Sequence, residues 1–196
     1  NLLCNGSLGI GVGMASNLPS HNLREVVDGI VAVIDNPDIT IDEISQYILG
    51  PDFATGAVIH GRHAIREYLN TGRGKIKVRA RAVVEEHEKS DKDTIAITEI
   101  PYQVNKSTLI EKIADLVRDK RIQGITDIRD ESDRTGMRIA IDVRRDIPGH
   151  IVLNHLYKMT PLESTFGVIM LALENGRPKV LNIKACIQNF IDHRHD

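Results

Sequence analysis

Apolar residues recur along the chain at two periods, and the switches between them divide it into elements. Leu23, Val26, Val27, Ile30, Val31 and Ile34 follow helical spacing behind Asn22, a residue type whose side-chain oxygen caps helix N-termini, so the pattern predicts an amphipathic helix over about 22–35. A second helix begins at Thr40, where Thr40 and Glu43 make a capping box and Ile41, Ile44, Tyr47 and Ile48 form the stripe; the Gly50-Pro51-Asp52 turn ends it. A short strand at Ala57–Ile59 and a helix near Arg62–Leu69 lead to the turn Thr71-Gly72-Arg73-Gly74.

There the period becomes two. Ile76, Val78, Ala80 and Ala82 alternate with Lys75, Lys77, Arg79 and Arg81, which predicts one strand with an apolar face and a cationic face. After the Ser90–Asp93 turn, Thr94–Ile100 returns as its antiparallel neighbour. A third helix is expected from about Asn105 to Lys120, then strands at Ile125–Arg129 and Met137–Val143 and a helix near His150–Lys158. Asn175-Gly176 suits a type I′ hairpin turn, and Ile183, Ile187, Phe190 and Ile191 stripe a last helix from Asn182. Helices and antiparallel strand pairs in this order predict an α+β fold, an antiparallel or mixed sheet covered by helices, followed by a hairpin and a final helix.

Composition adjusts this picture only a little. The chain has 196 residues, 41% hydrophobic, with 4% aromatic and no Trp, so aliphatic side chains must fill the core. No apolar run is long enough to span a bilayer and no signal-like segment is visible, which points to a cytoplasmic protein. Cys4 and Cys186 are far apart and read as reduced, incidental thiols. The chain lacks an initiator Met and stops within a helical pattern, as a piece of a longer protein would.

The net charge of -2 conceals segregation. Between Arg62 and Val84 there are seven cations (Arg62, Arg66, Arg73, Lys75, Lys77, Arg79, Arg81) against Glu67 alone, while Asp35 to Asp52 holds five acids and no base. One face can therefore hold phosphate on a nearly neutral molecule. The bland reading of the basic strand is a solvated sheet face; its start beside a Gly-rich turn that can approach phosphates favours backbone binding.

The run LGIGVGMASNLPSHN, Leu8 to Asn22, sets Ile10 among glycines before a proline turn. As a dinucleotide fingerprint it fails, since the third glycine would fall at Met14 and Pro19 interrupts the helix that should follow. Two readings remain: Ile10 as a core residue of a tight hairpin, or Ile10 as an apolar wedge on a loop that lets a large partner approach.

This run resembles a segment of the DNA breakage-and-rejoining subunit of type IIA topoisomerases. The resemblance continues in family order through Asn1-Leu2-Leu3, Asn5-Gly6, Asp35–Thr40, Gly50–Phe53, Thr71–Gly74, Thr98–Lys106, Arg129-Asp130-Glu131 and Asn175–Pro178. It implies the tower region of that subunit. Residues 1–21 would be a wedge loop following a winged-helix domain, 22–160 the α+β tower, and 161–196 a hairpin with the start of a coiled-coil arm. It also implies that Ile10 wedges between base pairs of a bent duplex; with the basic strand read as above, the residues expected to bind DNA are Ile10, Arg73, Lys75, Lys77, Arg79 and Arg81. Partners would be double-stranded DNA, a second copy of the same polypeptide, and the B-type subunit, which carries the Mg²⁺ and ATP sites. The stretch Glu99–Lys106 favours the gyrase branch, which supercoils DNA negatively, over the topoisomerase IV branch. Gly11, Ser16, Leu18 and Ser20 depart from the usual loop, and Gly11 and Ser20 are expected to loosen it.

No catalytic residue is assigned. The family's nucleophilic tyrosine follows an arginine, and Tyr47, Tyr68, Tyr102 and Tyr157 do not, so the isolated chain is expected to be inactive. Asp127, Asp130, Glu131 and Asp133 are interleaved with Arg129 and Arg134 and read as an ion-paired turn rather than an Mg²⁺ site. His193 and His195 do not share a helix face, and the other histidines lie scattered; no metal or cofactor site is assigned. The contrasting class is a protein-interaction scaffold using the acidic 35–52 region, which salt-dependent duplex binding discriminates.

Overall fold

A computed structural model describes residues 1–196. The elements in chain order are α1 (Leu2–Asn5), β1 (Ser7–Gly11), β2 (Met14–Leu18), α2 (Leu23–Asp35), α3 (Ile41–Ile44), β3 (Val58–His60), α4 (His63–Thr71), β4 (Arg73–Arg79), β5 (Arg81–Glu85) and β6 (Lys92–Glu99). They continue with α5 (Lys106–Arg118), β7 (Ile125–Asp130), β8 (Ile139–Arg144), α6 (Gly149–Met159), β9 (Glu163–Ile169), β10 (Leu171–Glu174), β11 (Arg177–Val180) and α7 (Ile183–His195). The fold is α+β, with antiparallel sheets. Two compact units interleave in sequence: residues 1–54, 60–76 and 165–196 form the first, and 55–59 and 77–164 the second. A five-stranded sheet runs in the order β1-β2-β9-β4-β3, with β4 carrying the chain out of the first unit and β9 bringing it back.

In the first unit α2 starts where expected because Asn22 accepts from the amides of Arg24 and Glu25. Its buried face, Val26, Gly29 and Val33, packs on the neighbouring helices. Gly29 is the closest point: a Cβ there would meet Ile48 Cδ1 at 2.7 Å. Helix α3 stops at Ile44, well short of the expected stripe, because Gln46 and Tyr47 donate three residues back to Glu43 and Ile44 and tighten the turn. Ile44 and Ile48 are nonetheless buried, whereas Tyr47 is exposed. Asn175 and Gly176 both have positive φ, as the type I′ turn between β10 and β11 requires.

The second unit is a four-stranded antiparallel sheet in the order β5-β6-β8-β7, packed with α5 and α6. Ile95 and Ile97 from β6, Ile139, Ile141 and Val143 from β8, Leu109 and Ile113 from α5, and Val152 and Leu156 from α6 make its core. The single basic strand expected over 75–82 is instead two strands in two different sheets. At Ala80 the chain leaves one ladder for the other: its N–H donates to Leu162 O at 2.8 Å and its carbonyl accepts from the Tyr157 hydroxyl at 3.1 Å. A register shift between Arg81 and Ala82 follows at once.

Candidate nucleic-acid surfaces

Strands β1 and β2 form a tight hairpin in the first unit, with Ser7 opposite Leu18, Ile10 opposite Ala15 and Gly11 opposite Met14. Val12 and Gly13 make the two-residue tip, where Gly13 takes φ +75°. Ile10 is 88% exposed and Val12 fully so, with Leu8 exposed as well. The segment is thus a hairpin, yet Ile10 is no part of a core. Gly9 and Gly11 have ordinary φ, and a Cβ added to them would find its nearest neighbours at 3.9 and 3.6 Å. The fold does not need glycine at either position. The missing side chains leave the strand backbone uncovered around Ile10.

The hairpin root is held tightly. Asn17 is the ladder partner of Ile169 and donates its side-chain amide to Gly167 O at 2.8 Å, and Ser16 Oγ donates to Leu171 O at 3.0 Å. Ser20, expected to loosen the segment, is bound both ways by Asp52: its hydroxyl donates to the Asp52 carbonyl at 2.7 Å and its own carbonyl accepts from the Asp52 amide at 2.8 Å. A hydroxyl here supplies the restraint that a proline ring would have given through φ. His21, only 4% exposed, was not singled out by sequence. Its Nδ1 lies 2.9 Å from Leu3 O and its Nε2 2.9 Å from the Tyr68 hydroxyl. Burial pushes the His21 imidazole below its ordinary range and the Tyr68 phenol above its own.

The predicted cations are not equivalent. Arg73 and Lys75, in the first unit, and Lys77, in the second, are exposed and form no ion pair. Arg79 is half-buried, paired with Glu163 and stacked over the Tyr157 ring at 5.0 Å. Arg81 donates to Glu99 at 3.0 Å, and the Glu99 carboxylate is held low first by the Ala57 amide and then by Arg81. Two of the four strand cations therefore already have carboxylate partners, so less free positive charge faces solvent than the sequence alone suggests. The partners lie far away in sequence, 84 residues in the case of Glu163, which is why no local pattern announced them.

The acidic 127–133 stretch is laced to arginines. Arg129 binds Asp127 at 2.9 Å, Glu131 at 3.1 Å and Asp142. Arg138 binds Glu131 and Glu85, each at 2.9 Å, and Lys106 binds Asp130 at 2.9 Å. Hydrogen bonds from these cations hold Glu85, Glu131 and Asp142 below the usual carboxylate range, while Asp130 falls to about 2 chiefly through Ser132 and Lys106. Carboxylates so engaged leave no arrangement of acids and histidines fit for a metal ion. His87 joins the network through Thr94, 2.9 Å away, whose hydroxyl donates to Asp142 at 3.0 Å. Cys4 and Cys186 are free thiols, and burial drives Cys186 up to about 12. No helix is long and apolar enough to cross a membrane.

The first unit thus carries an exposed apolar hairpin tip among glycines and, on β4, the exposed and unpaired cations Arg73 and Lys75. The chain belongs to the family of DNA gyrase and topoisomerase IV A subunits, whose model matches residues 1–196. It is 56% identical to the DNA gyrase A subunit of Pseudomonas aeruginosa over 197 residues, covering 100% of this chain and 21% of that protein. It is 56% identical to the gyrase A subunit of Salmonella typhimurium and 55% to that of Escherichia coli, each over 196 residues and 22% of the relative. The chain thus spans about one fifth of the length of the curated relatives it matches.

Proposed function

We propose that the chain is the DNA-gripping and DNA-bending tower region of a gyrase-type A subunit in the bacterial cytoplasm. In this reading the longer protein dimerises, assembles with a B subunit that holds ATP and Mg²⁺, and breaks, passes and rejoins double-stranded DNA to supercoil it negatively. The observation that carries the proposal is Ile10, presented to solvent on a rigid-rooted hairpin whose glycines have room for side chains they lack. An apolar side chain entering a base step offsets a few kcal/mol of unstacking with the wider contact a bent duplex allows. Arg73, Lys75 and Lys77 are the cations free to meet phosphates; Arg79 and Arg81 would first have to exchange carboxylate for phosphate. This chain supplies grip and curvature. In this reading the nucleophilic tyrosine belongs elsewhere in the longer protein: none of Tyr47, Tyr68, Tyr102 and Tyr157 follows an arginine, Tyr68 is buried against His21, and Tyr157 is tied to Ala80.

The test places Ile10→Ala in the full-length protein with its B partner and follows energy transfer between the ends of a short duplex alongside thermal melting. Bending should fall by an order of magnitude or so, equivalent to about 1–2 kcal/mol, while stability stays within about 0.5 kcal/mol, as at an exposed site. Normal bending by this variant would overturn the wedge. The isolated chain, incubated with supercoiled plasmid, ATP and Mg²⁺, should leave topology unchanged, and a covalent adduct on any of its tyrosines would defeat the assignment.

A further inference from the structure

The buried His21–Tyr68 pair sits at the root of the hairpin, apart from Ile10 and the exposed cations. We propose that neutral His21, clamped between Leu3 and Tyr68, is a positioning residue that fixes the direction of the β1–β2 hairpin. Its consequence for DNA rests on the wedge reading above, whereas its effect on the hairpin does not.

For the neutral ring the hydrogen-bond pattern admits one assignment. A carbonyl oxygen only accepts, so Nδ1 carries the proton and donates to Leu3 O; Nε2 of the neutral ring is then an acceptor and takes the Tyr68 hydroxyl. Leu3 lies just before β1 and His21 just after β2, so a single ring ties both legs of the hairpin to α4 through Tyr68. The legs also touch directly. Gly6, at φ +70°, is so close to the chain after β2 that a Cβ would sit 2.5 Å from Leu18 O and 3.0 Å from Ser20 N. Above this root the side-chain anchors Ser16 and Asn17 belong to β2, and β1, the strand of Ile10, is held through its ladder to β2 and through the root below. Ile10 is three residues beyond the start of β1, about 10 Å along an extended strand, so a root tilt of about 10° displaces it by roughly 2 Å, more than half a base-step rise.

A second proton on His21 would weaken the clamp. Nε2 would become a donor to the Tyr68 hydroxyl oxygen, the hydroxyl proton would have to turn away and lose its acceptor, and a cation would be buried. The groups that bear on this charge are the Leu3 and Pro19 carbonyls and the Asp52 carboxylate, which favour it, and burial, which outweighs them. Glu25 of α2 acts on the Tyr68 side and further disfavours its ionisation.

Nitroxides carried by unnatural residues at Val12 and Asn70, both exposed in the first unit, read hairpin direction without DNA and without touching Cys4 or Cys186. In the full-length protein, in complex with its B partner, the distance distribution should be narrow at pH 8. It should broaden in Tyr68→Phe, which keeps the ring and removes only the hydroxyl, and broaden in the wild type as pH falls below the ordinary imidazole range. His21→Asn, which retains a donor for Leu3 O and cannot titrate, should show no such pH response; His60 and His63 are intact in it, so a response that persisted would belong to them and overturn the proposal. An unchanged width in Tyr68→Phe would overturn it too. Duplex bending should fall about fivefold in Tyr68→Phe, the equilibrium worth of one buried hydrogen bond. If Ile10→Ala bends DNA normally while Tyr68→Phe still broadens the distribution, the wedge reading falls and the positioning role stands.

Discussion

The two units handle polarity in opposite ways. The first buries one neutral histidine–tyrosine pair at the root of its hairpin and leaves an apolar tip uncovered. The second covers its sheet with charges that are largely matched to one another, in the Arg81–Glu99 pair and in the Arg129 and Arg138 clusters. Charge density is therefore a poor guide to how much charge is free here. A cation already paired contributes little to binding a phosphate, because the new contact replaces an old one, whereas an apolar side chain with no internal partner has contact area still to bury.

The contrast breaks most sharply at two glycines. Gly6→Ala should destabilise the protein by about 2 kcal/mol or more, since the left-handed φ and the approach to Leu18 O both penalise a Cβ. Gly9→Ala, a little further along the same hairpin leg, should leave the melting temperature nearly unchanged and weaken only DNA binding. Equal losses of stability in the two variants would mean the tip is as structural as the root.

The units should also titrate in separate windows. His21 is depressed in the folded state, so the unfolded chain binds the proton more readily; stability from this site is complete above the ordinary imidazole value of 6.5 and is lost as pH falls below it. The carboxylates of the second unit are depressed as well, and their stability is present above the ordinary carboxylate values near 4 and is lost as pH falls from there toward about 2, where Asp130 titrates. Amide hydrogen exchange followed against pH should register protection lost first around residues 3, 21 and 68, and only later around 129–142. Simultaneous loss would erase the distinction.

A smaller effect separates the cations. Lys75→Gln with Lys77→Gln should flatten the salt dependence of duplex binding by about one to two units of slope, and Arg79→Gln with Arg81→Gln by less. The reverse order would mean that the Glu163 and Glu99 pairs open on binding. Smallest of all, Lys179→Gln, which removes the exposed partner of Glu174 across the β10–β11 hairpin, should cost no more than about 0.5 kcal/mol by chemical denaturation.

Where a stripe is long and its cap is local, the sequence was legible: α2 and α5 start at Asn22 and Asn105, whose side chains accept from amides two or three residues on. The division at Ala80 was not, because Ile76, Val78, Ala80 and Ala82 keep one parity across it, and alternation reports which face is buried without reporting which strand is the neighbour. The two interleaved units were hidden for the same reason. At the candidate surfaces, the exposed glycine-flanked isoleucine stood out in the sequence as an oddity of composition. The state of Arg79 and Arg81 depended on acids 84 and 18 residues away, and His21 looked solitary because Tyr68 is 47 positions distant.

The uncovered hairpin tip has a consequence for how this surface can change. Because Leu8, Ile10 and Val12 face solvent and Gly9 and Gly11 crowd nothing, variation at these positions is almost invisible to folding. A library randomised from Leu8 to Val12 should yield mostly folded proteins, and selection on it would act through whatever docks there. That short stretch can therefore be retuned to a differently shaped ligand while the scaffold beneath it stands still.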